Sequence, residues 1–215
     1  MKTNEERLEE MLRHLDRLSH VRASQIPEIP LYMDQVTTFM EEHLKDFKRN
    51  EADKVLTKTM INNYAKNNLL PPPDKKKYSK EHMLLLIFIY YYKNLLSISD
   101  IETLLAPITE NHFQTESPVS LEDIYSEVFS LRDEQKKRLT DDMKQKFEAA
   151  ESTFSGAPDG EREFLRLFAF ISELAFDVYL KKLVIEGLID QLREENPPAK
   201  DKNKKARTRT ETRPR

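Results

Sequence analysis

The first 155 residues of this chain contain no glycine; the three it has, Gly156, Gly160 and Gly187, fall in the last third. Sandwiches and dinucleotide-binding sheets depend on tight turns and close backbone approach, which glycine supplies most cheaply. Long helices tolerate its absence. The expected fold class is therefore all-α.

Composition narrows the rest. There is no cysteine, which excludes disulfides and thiolate metal sites and is compatible with a reducing interior. The opening MKTNEERLEEML has no apolar core of the kind a secretion signal needs. The longest apolar run, MLLLIFIYYY (Met83 to Tyr92), is about half what a bilayer-spanning helix requires. The expectation is a soluble cytoplasmic protein with no membrane partner. The net charge of −3 hides an asymmetry: residues 54–93 carry +6 and residues 196–215 carry another +6, which leaves −15 on the remainder. Basic charge gathered at two places on an acidic body points to localised contact with a polyanion.

Periodicity divides the chain further. Residues 3–22 read as an amphipathic helix with Leu8, Met11, Leu12, Leu15 and Leu18 on one stripe. QIPEIP (Gln25 to Pro30) ends that first region, 1–25. A second helix is expected over Met33–Leu44, and KDFKRNEADK links it to LTKTMINNYAKNNLLPPPDKKKYSKEHM (Leu56 to Met83). There Thr57 can cap a helix reaching about Asn67. Ile61, Tyr64 and Ala65 point one way; Lys58, Asn62 and Lys66 stack on the other face with Thr59 and Asn63 beside them. Asn68 stands at the left-handed exit position, three prolines forbid continuation, and DKKKY forms a short projecting hairpin. Ser79 opens the next helix, and a short one begins at Ser97 or Ser99. After the loop APITENHFQTESPVS come two long helices, about 121–151 and 161–194, joined by GAPDG. The second is apolar at 18 of the 26 positions from Phe164 to Ile189 and requires cover on most sides, from the core, a second subunit or both. The stretch 196–215 has nothing to pack and reads as a disordered basic tail.

The order MINNYAKNNLLPPP, then KKKYSKEHMLLLIFIY, then LLSISDIETLL resembles the winged helix-turn-helix of MerR-type transcription regulators. In that family a recognition helix, a tight exit, a basic wing with a tyrosine and a further helix follow in that sequence. The whole chain also resembles an uncharacterised domain-of-unknown-function family of Gram-positive bacteria thought to carry a MerR-like DNA-binding region. The resemblance implies a winged helix-turn-helix at 26–106, followed by an antiparallel helical hairpin at 118–195. Asn62 then occupies a base-reading position, Asn68 replaces the usual exit glycine, and Lys75, Lys76, Lys77 and Tyr78 form the wing. The connection over about Lys45–Val55 is longer than the family's tight turn.

The chemistry of these residue types agrees. Lysines and helix N-termini engage phosphates, and asparagine pairs bidentately with adenine in the major groove. The DNA-binding set expected is Thr57, Lys58, Thr59, Asn62, Asn63, Lys66, Lys75, Lys76, Lys77 and Tyr78. A solvated polar face on a small structural helix accounts for the same residues, and Tyr64 and Tyr78 also suit packing. The tail can attract nucleic acid by counterion release or simply keep the chain soluble. Consecutive tyrosines 90–92 point in different directions, which disfavours base stacking. No histidine has a glutamate three residues before it, and HExxH, a glycine-rich phosphate loop and G-x-S-x-G are absent, so neither catalysis, metal nor cofactor is expected. Phe164, Phe168, Phe170 and Phe176 can line an effector pocket or form core and interface, the plainer reading. The function expected is a homodimeric DNA-binding transcription regulator, paired through the helices of 121–195. The alternative is a helical protein–protein interaction module.

Overall fold

Residues 2–196 are described by a computed structural model of the chain. The all-α expectation is met: eight α-helices carry these residues, with one two-stranded antiparallel ribbon. Beyond Asn196 the expected basic tail lies outside the described residues.

The centre is α4 (Lys80–Tyr92), in which every residue from His82 to Tyr90 is buried. At 100° per residue such a run faces all directions, so other elements must surround it. They are α2 (Met33–Leu44), α3 (Lys58–Lys66), α5 (Ile98–His112) and α6 (Leu121–Ser130). Each contributes a stripe: Val36, Met40 and Leu44; Ile61 and Tyr64; Ile101 and Leu105; Leu121, Tyr125 and Phe129. The resulting cluster extends from Val21 to Phe129, with Ile189 added from the last helix. Inside it the Tyr125 hydroxyl donates to the Val21 carbonyl at 2.5 Å, so a buried polar tip is satisfied. A smaller cluster joins α1 (Asn4–Arg17), α7 (Arg132–Glu151) and α8 (Asp159–Glu195) through Leu8, Met143, Ala150 and Phe170. The Phe147 ring meets Phe170 edge-on at 5.4 Å.

Most boundaries follow from caps. Thr3 and Glu6 exchange backbone and side-chain bonds at the start of α1, as do Ser97 with Asp100 on α5 and Ser120 with Asp123 on α6. Two helices differ from the periodicity reading. The stretch 121–151 is not one helix but breaks at Leu131 into α6 and α7. The Ser130 hydroxyl bonds back to the Glu127 carbonyl at 2.7 Å, a contact that bends helices. The Arg132 guanidinium then enters a cage of Phe47, Tyr91 and Phe129, 5.2–5.9 Å from the rings, and donates to the Tyr91 hydroxyl at 3.1 Å. The second difference is α5, which continues through Pro107 to His112 where a loop was expected. Proline removes one donor there, but Leu105 is buried and Ile108 packs on the core. Thr109 and Asn111 bond back to the carbonyls of Leu105 and Pro107.

The long link between α2 and α3 is ordered by side chains. The Glu41 carboxylate accepts from the Lys48 ammonium at 2.6 Å and from the Val55 amide at 3.2 Å. Lys93 donates to the Val55 carbonyl at 2.8 Å, and Val55 and Leu56 are buried. The Lys48 hydrogen bond is the main reason the Glu41 carboxyl titrates below its ordinary value. Removing this clasp leaves a Val55 amide without its acceptor. Glu41→Ala is therefore expected to cost about 1–2 kcal/mol, read as a lower urea midpoint at unchanged slope.

Candidate nucleic-acid interface

The polar ridge of the central segment rests on the cap of α3. The Thr57 hydroxyl accepts the Met60 amide at 3.2 Å, fixing where the helix starts and therefore which residues share a face. Ile61 and Tyr64 anchor the inner side. Lys58, Thr59, Asn62, Asn63 and Lys66 are all exposed on the outer side; Thr57, spent on the cap, is half-buried. Lys58 is paired with Asp34 in the first turn of α2, which shares part of its charge.

The exit of α3 is a Schellman motif. The Leu69 amide bonds to the Tyr64 carbonyl at 2.9 Å and the Asn68 amide to the Ala65 carbonyl at 3.4 Å, with Asn68 at φ 57°. Leu69 and Leu70 then bury, turning the chain into the prolines.

The wing is a real ribbon. β1 (Leu31–Tyr32) pairs antiparallel with β2 (Lys77–Tyr78), Leu31 opposite Tyr78 and Tyr32 opposite Lys77. Its tip is a tight turn closed by the Lys77 amide on the Asp74 carbonyl at 2.8 Å, with Lys75 at φ 46° and Lys76 at φ 65°. Two successive left-handed residues are the signature of a type I′ hairpin, normally built from Asn-Gly. Here lysines take both places, so backbone strain is accepted where cations project. Lys75, Lys76 and Lys77 are exposed, and the Lys77 ammonium lies 5.1 Å from the Tyr32 ring centre. Strand alternation sends Tyr78 the other way. It is buried, packs edge-on against His82 at 5.4 Å, and burial raises its hydroxyl pKa. Tyr78, grouped by sequence with the wing lysines, is thus a packing residue.

His82 is the residue the sequence reading passed over. Its Nδ1 accepts the Ser79 amide at 3.0 Å, which leaves the ring proton on Nε2. Nε2 is buried beside the carbonyls of Pro72 and Pro71 without reaching hydrogen-bond geometry. One ring therefore touches the proline exit, the wing through Tyr78, and Phe113 at 4.8 Å. The signal available was the capping spacing, Ser79 with His82 three residues on.

Other cations near the ridge are committed elsewhere. Lys80 is nearly buried between Glu28 at 2.5 Å and Glu122 at 2.8 Å. A cleft of about 590 Å³ lies away from α3, among residues 15–22, the start of α7 and Lys181. Its Lys136 donates to the Asp16 carbonyl and its Lys181 to Asp177. Of the four α8 phenylalanines, Phe164, Phe168 and Phe176 are exposed, whereas Phe170 is buried. Among the described residues no cluster of histidines and acids could hold a metal ion, and no helix is long and apolar enough to cross a membrane.

Residues 21–128, just over half of the sequence, match the family described as "Domain of unknown function (DUF1836)". The chain belongs to the DUF1836 family. No curated protein and no solved structure matches it. The DUF1836 segment starts at Val21 and stops one residue short of Phe129, so it coincides with the chain limits of the larger cluster, Ile189 aside. The α3 ridge and the wing lie wholly inside the DUF1836 segment; α7 and α8 lie outside it.

Two measurements check the local physics. Lys76→Gly relieves a left-handed backbone and is expected to raise stability by about 1 kcal/mol in denaturant melts. Burial holds the folded His82 pKa below its ordinary 6.5. The unfolded chain takes up that proton first, so stability should decline as pH falls from about 6.5 toward the folded value. In His82→Gln that component of the pH dependence should vanish.

Proposed function

We propose that this protein binds double-stranded DNA as a cytoplasmic transcription regulator, through a MerR-like winged helix-turn-helix. Insertion of α3 in the major groove presents Asn62 and Asn63 to base edges, with Lys58, Thr59 and Lys66 at the groove walls. Lys75, Lys76 and Lys77 then meet the flanking phosphate backbone. The observation that carries this reading is the placement of one exposed Lys/Asn face on α3 opposite buried Ile61 and Tyr64. The left-handed exit, the hairpin wing and the capped helix after it support it in the same order as in MerR-type regulators.

The two kinds of contact do separate work. Asparagine edges discriminate bases, each bidentate pair contributing about 1–3 kcal/mol, while lysines add sequence-independent attraction that falls with salt. A second reading, a helical protein–protein interaction module, draws on the exposed apolar surface of α8.

The readings separate in a fluorescence titration on fragments selected from genomic DNA. Joint replacement of Lys58, Asn62 and Lys66 by alanine should remove preference for the selected fragment over random DNA. Lys76→Ala should weaken every sequence alike and lower the log–log salt slope by about 1. A wild-type protein with no preference above random DNA at physiological salt would overturn the regulator reading in favour of the interaction module.

A further inference from the structure

Charge is unevenly shared along the second half of the chain, and one cleft collects the scarcer sign. Over residues 94–195, Asp and Glu outnumber Lys and Arg by 22 to 11. The cleft of about 590 Å³ between residues 15–22 and the start of α7 nevertheless takes four of those eleven cations and, of the acids, only Asp142. With Arg22 and Asp16 from the other wall, its lining holds five Lys/Arg against two acids, a surplus of +3 before His20 is counted. A surface drawn in proportion from this region would be net negative. A concave, positive lining on an acidic body focuses field on its occupant and concentrates anions there.

Two arginines make the surplus usable. Arg132 is half-buried, and its guanidinium is held by the rings of Phe47, Tyr91 and Phe129 and by one bond from Nη1 to the Tyr91 hydroxyl. Rings fix a guanidinium without cancelling its charge, whereas a carboxylate partner would do both. Among the described residues its Nε and Nη2 have no bonded partner, which leaves donors for a ligand. Arg22, exposed on the other wall, has no ion pair among the described residues. The remaining cations add field more than contact. Lys136 donates to the carbonyls of Asp16 at 2.6 Å and Leu18 at 3.5 Å, and Lys181 pairs with Asp177 at 2.7 Å. Of the two acids, Asp142 is paired with Lys146 at 2.6 Å and Asp16 lies 3.8 Å from Lys136, so neither engages the arginines.

The rest of the wall says what the anion carries. Leu15, Leu18 and Leu139 line the same cleft, whose volume falls in the roughly 300–1,000 Å³ of small-molecule sites. A bare inorganic ion would leave those leucines in water. Arginine's forked donors fit carboxylate and phosphate alike, but a surplus of +3 favours the head group of higher charge, and a phosphomonoester carries about −1.5 to −2 at pH 7. We propose that this cleft binds a small phosphomonoester with an apolar or aromatic body, its phosphate engaged by Arg132 and Arg22 and its body against the three leucines. The cleft lies away from α3, so this site stands whether or not α3 reads DNA.

Isothermal titration of the full chain with phenyl phosphate, without DNA, tests this directly. One-to-one binding with a Kd below about 1 mM is expected, with inorganic phosphate about tenfold weaker and benzyl alcohol giving no heat. Arg22→Gln changes an exposed side chain, so it should keep the wild-type helical circular dichroism while weakening phenyl phosphate about tenfold; Arg132→Gln should weaken it at least as much. Should Arg132→Gln lose its helical signal, Arg22→Gln decides alone. Leu139→Asp should bring phenyl phosphate down to the affinity of inorganic phosphate. Lys144→Gln, an exposed cation of α7 outside the cleft, should change nothing. No saturable heat up to about 10 mM phenyl phosphate, inorganic phosphate binding as tightly, or an affinity that Arg22→Gln lowers no more than Lys144→Gln does overturns the proposal.

Discussion

A helix buried on every side has no polar face to set its orientation, so the elements around it must supply both cover and register. That is the position of α4. From His82 to Tyr90 it gives each neighbour an apolar surface, and α2, α3, α5 and α6 are arranged by what they cover. The orientation of α3 follows from this requirement. Ile61 and Tyr64 can reach the core only if Lys58, Asn62 and Lys66 face water. The outward ridge is thus a by-product of burial geometry before it is anything else. The same segment carries a tight turn whose left-handed positions are both lysines.

Packing alone would leave the irregular segments undefined, since a long link has many conformations and little to bury. Side-chain clasps provide the definition. Glu41 holds both ends of the link after α2, and Lys93 holds its Val55 carbonyl from α4. Lys80 ties the base of α4 to Glu28 and Glu122, and His82 sits between the proline exit and the wing. These are cations and rings used at low exposure, where their bonds are less screened than on an open surface. The lysines of segment 54–93 therefore divide by environment: Lys80 and Lys93 are engaged by the fold, and Lys75, Lys76 and Lys77 are exposed.

The legible parts of the sequence were those with a local physical cause. Met33–Leu44 could be read from periodicity, the start of α3 from Thr57, its exit from Asn68 and the prolines, and the wing from the lysine run between breakers. What escaped depends on distant partners. The break at Leu131 needs the aromatic cage that receives Arg132, built from Phe47 and Tyr91 far upstream. Continuation of α5 through Pro107 needs a core to repay a lost hydrogen bond. The inward turn of Tyr78 needs β1, two residues long, whose Leu31 stands in register with it forty-seven positions earlier. Periodicity contains none of these.

The same distinction separates the two halves of the chain. In the DUF1836 segment, apolar side chains and available cover come close to balance: from Val21 to Phe129 nearly every large stripe finds a neighbour. In α8 they do not, and the surplus is not spread thinly but concentrated on one helix that outruns its partner. Exposed apolar area is costly in water, at roughly 25 cal/mol per Å². A sequence that places eighteen apolar residues in twenty-six positions leaves twelve large side chains of this helix exposed. The polar ridge and the apolar helix thus pose different physical problems, one of charge and one of solvation, and the bond from Arg193 to Asp100 ties the apolar helix to α5.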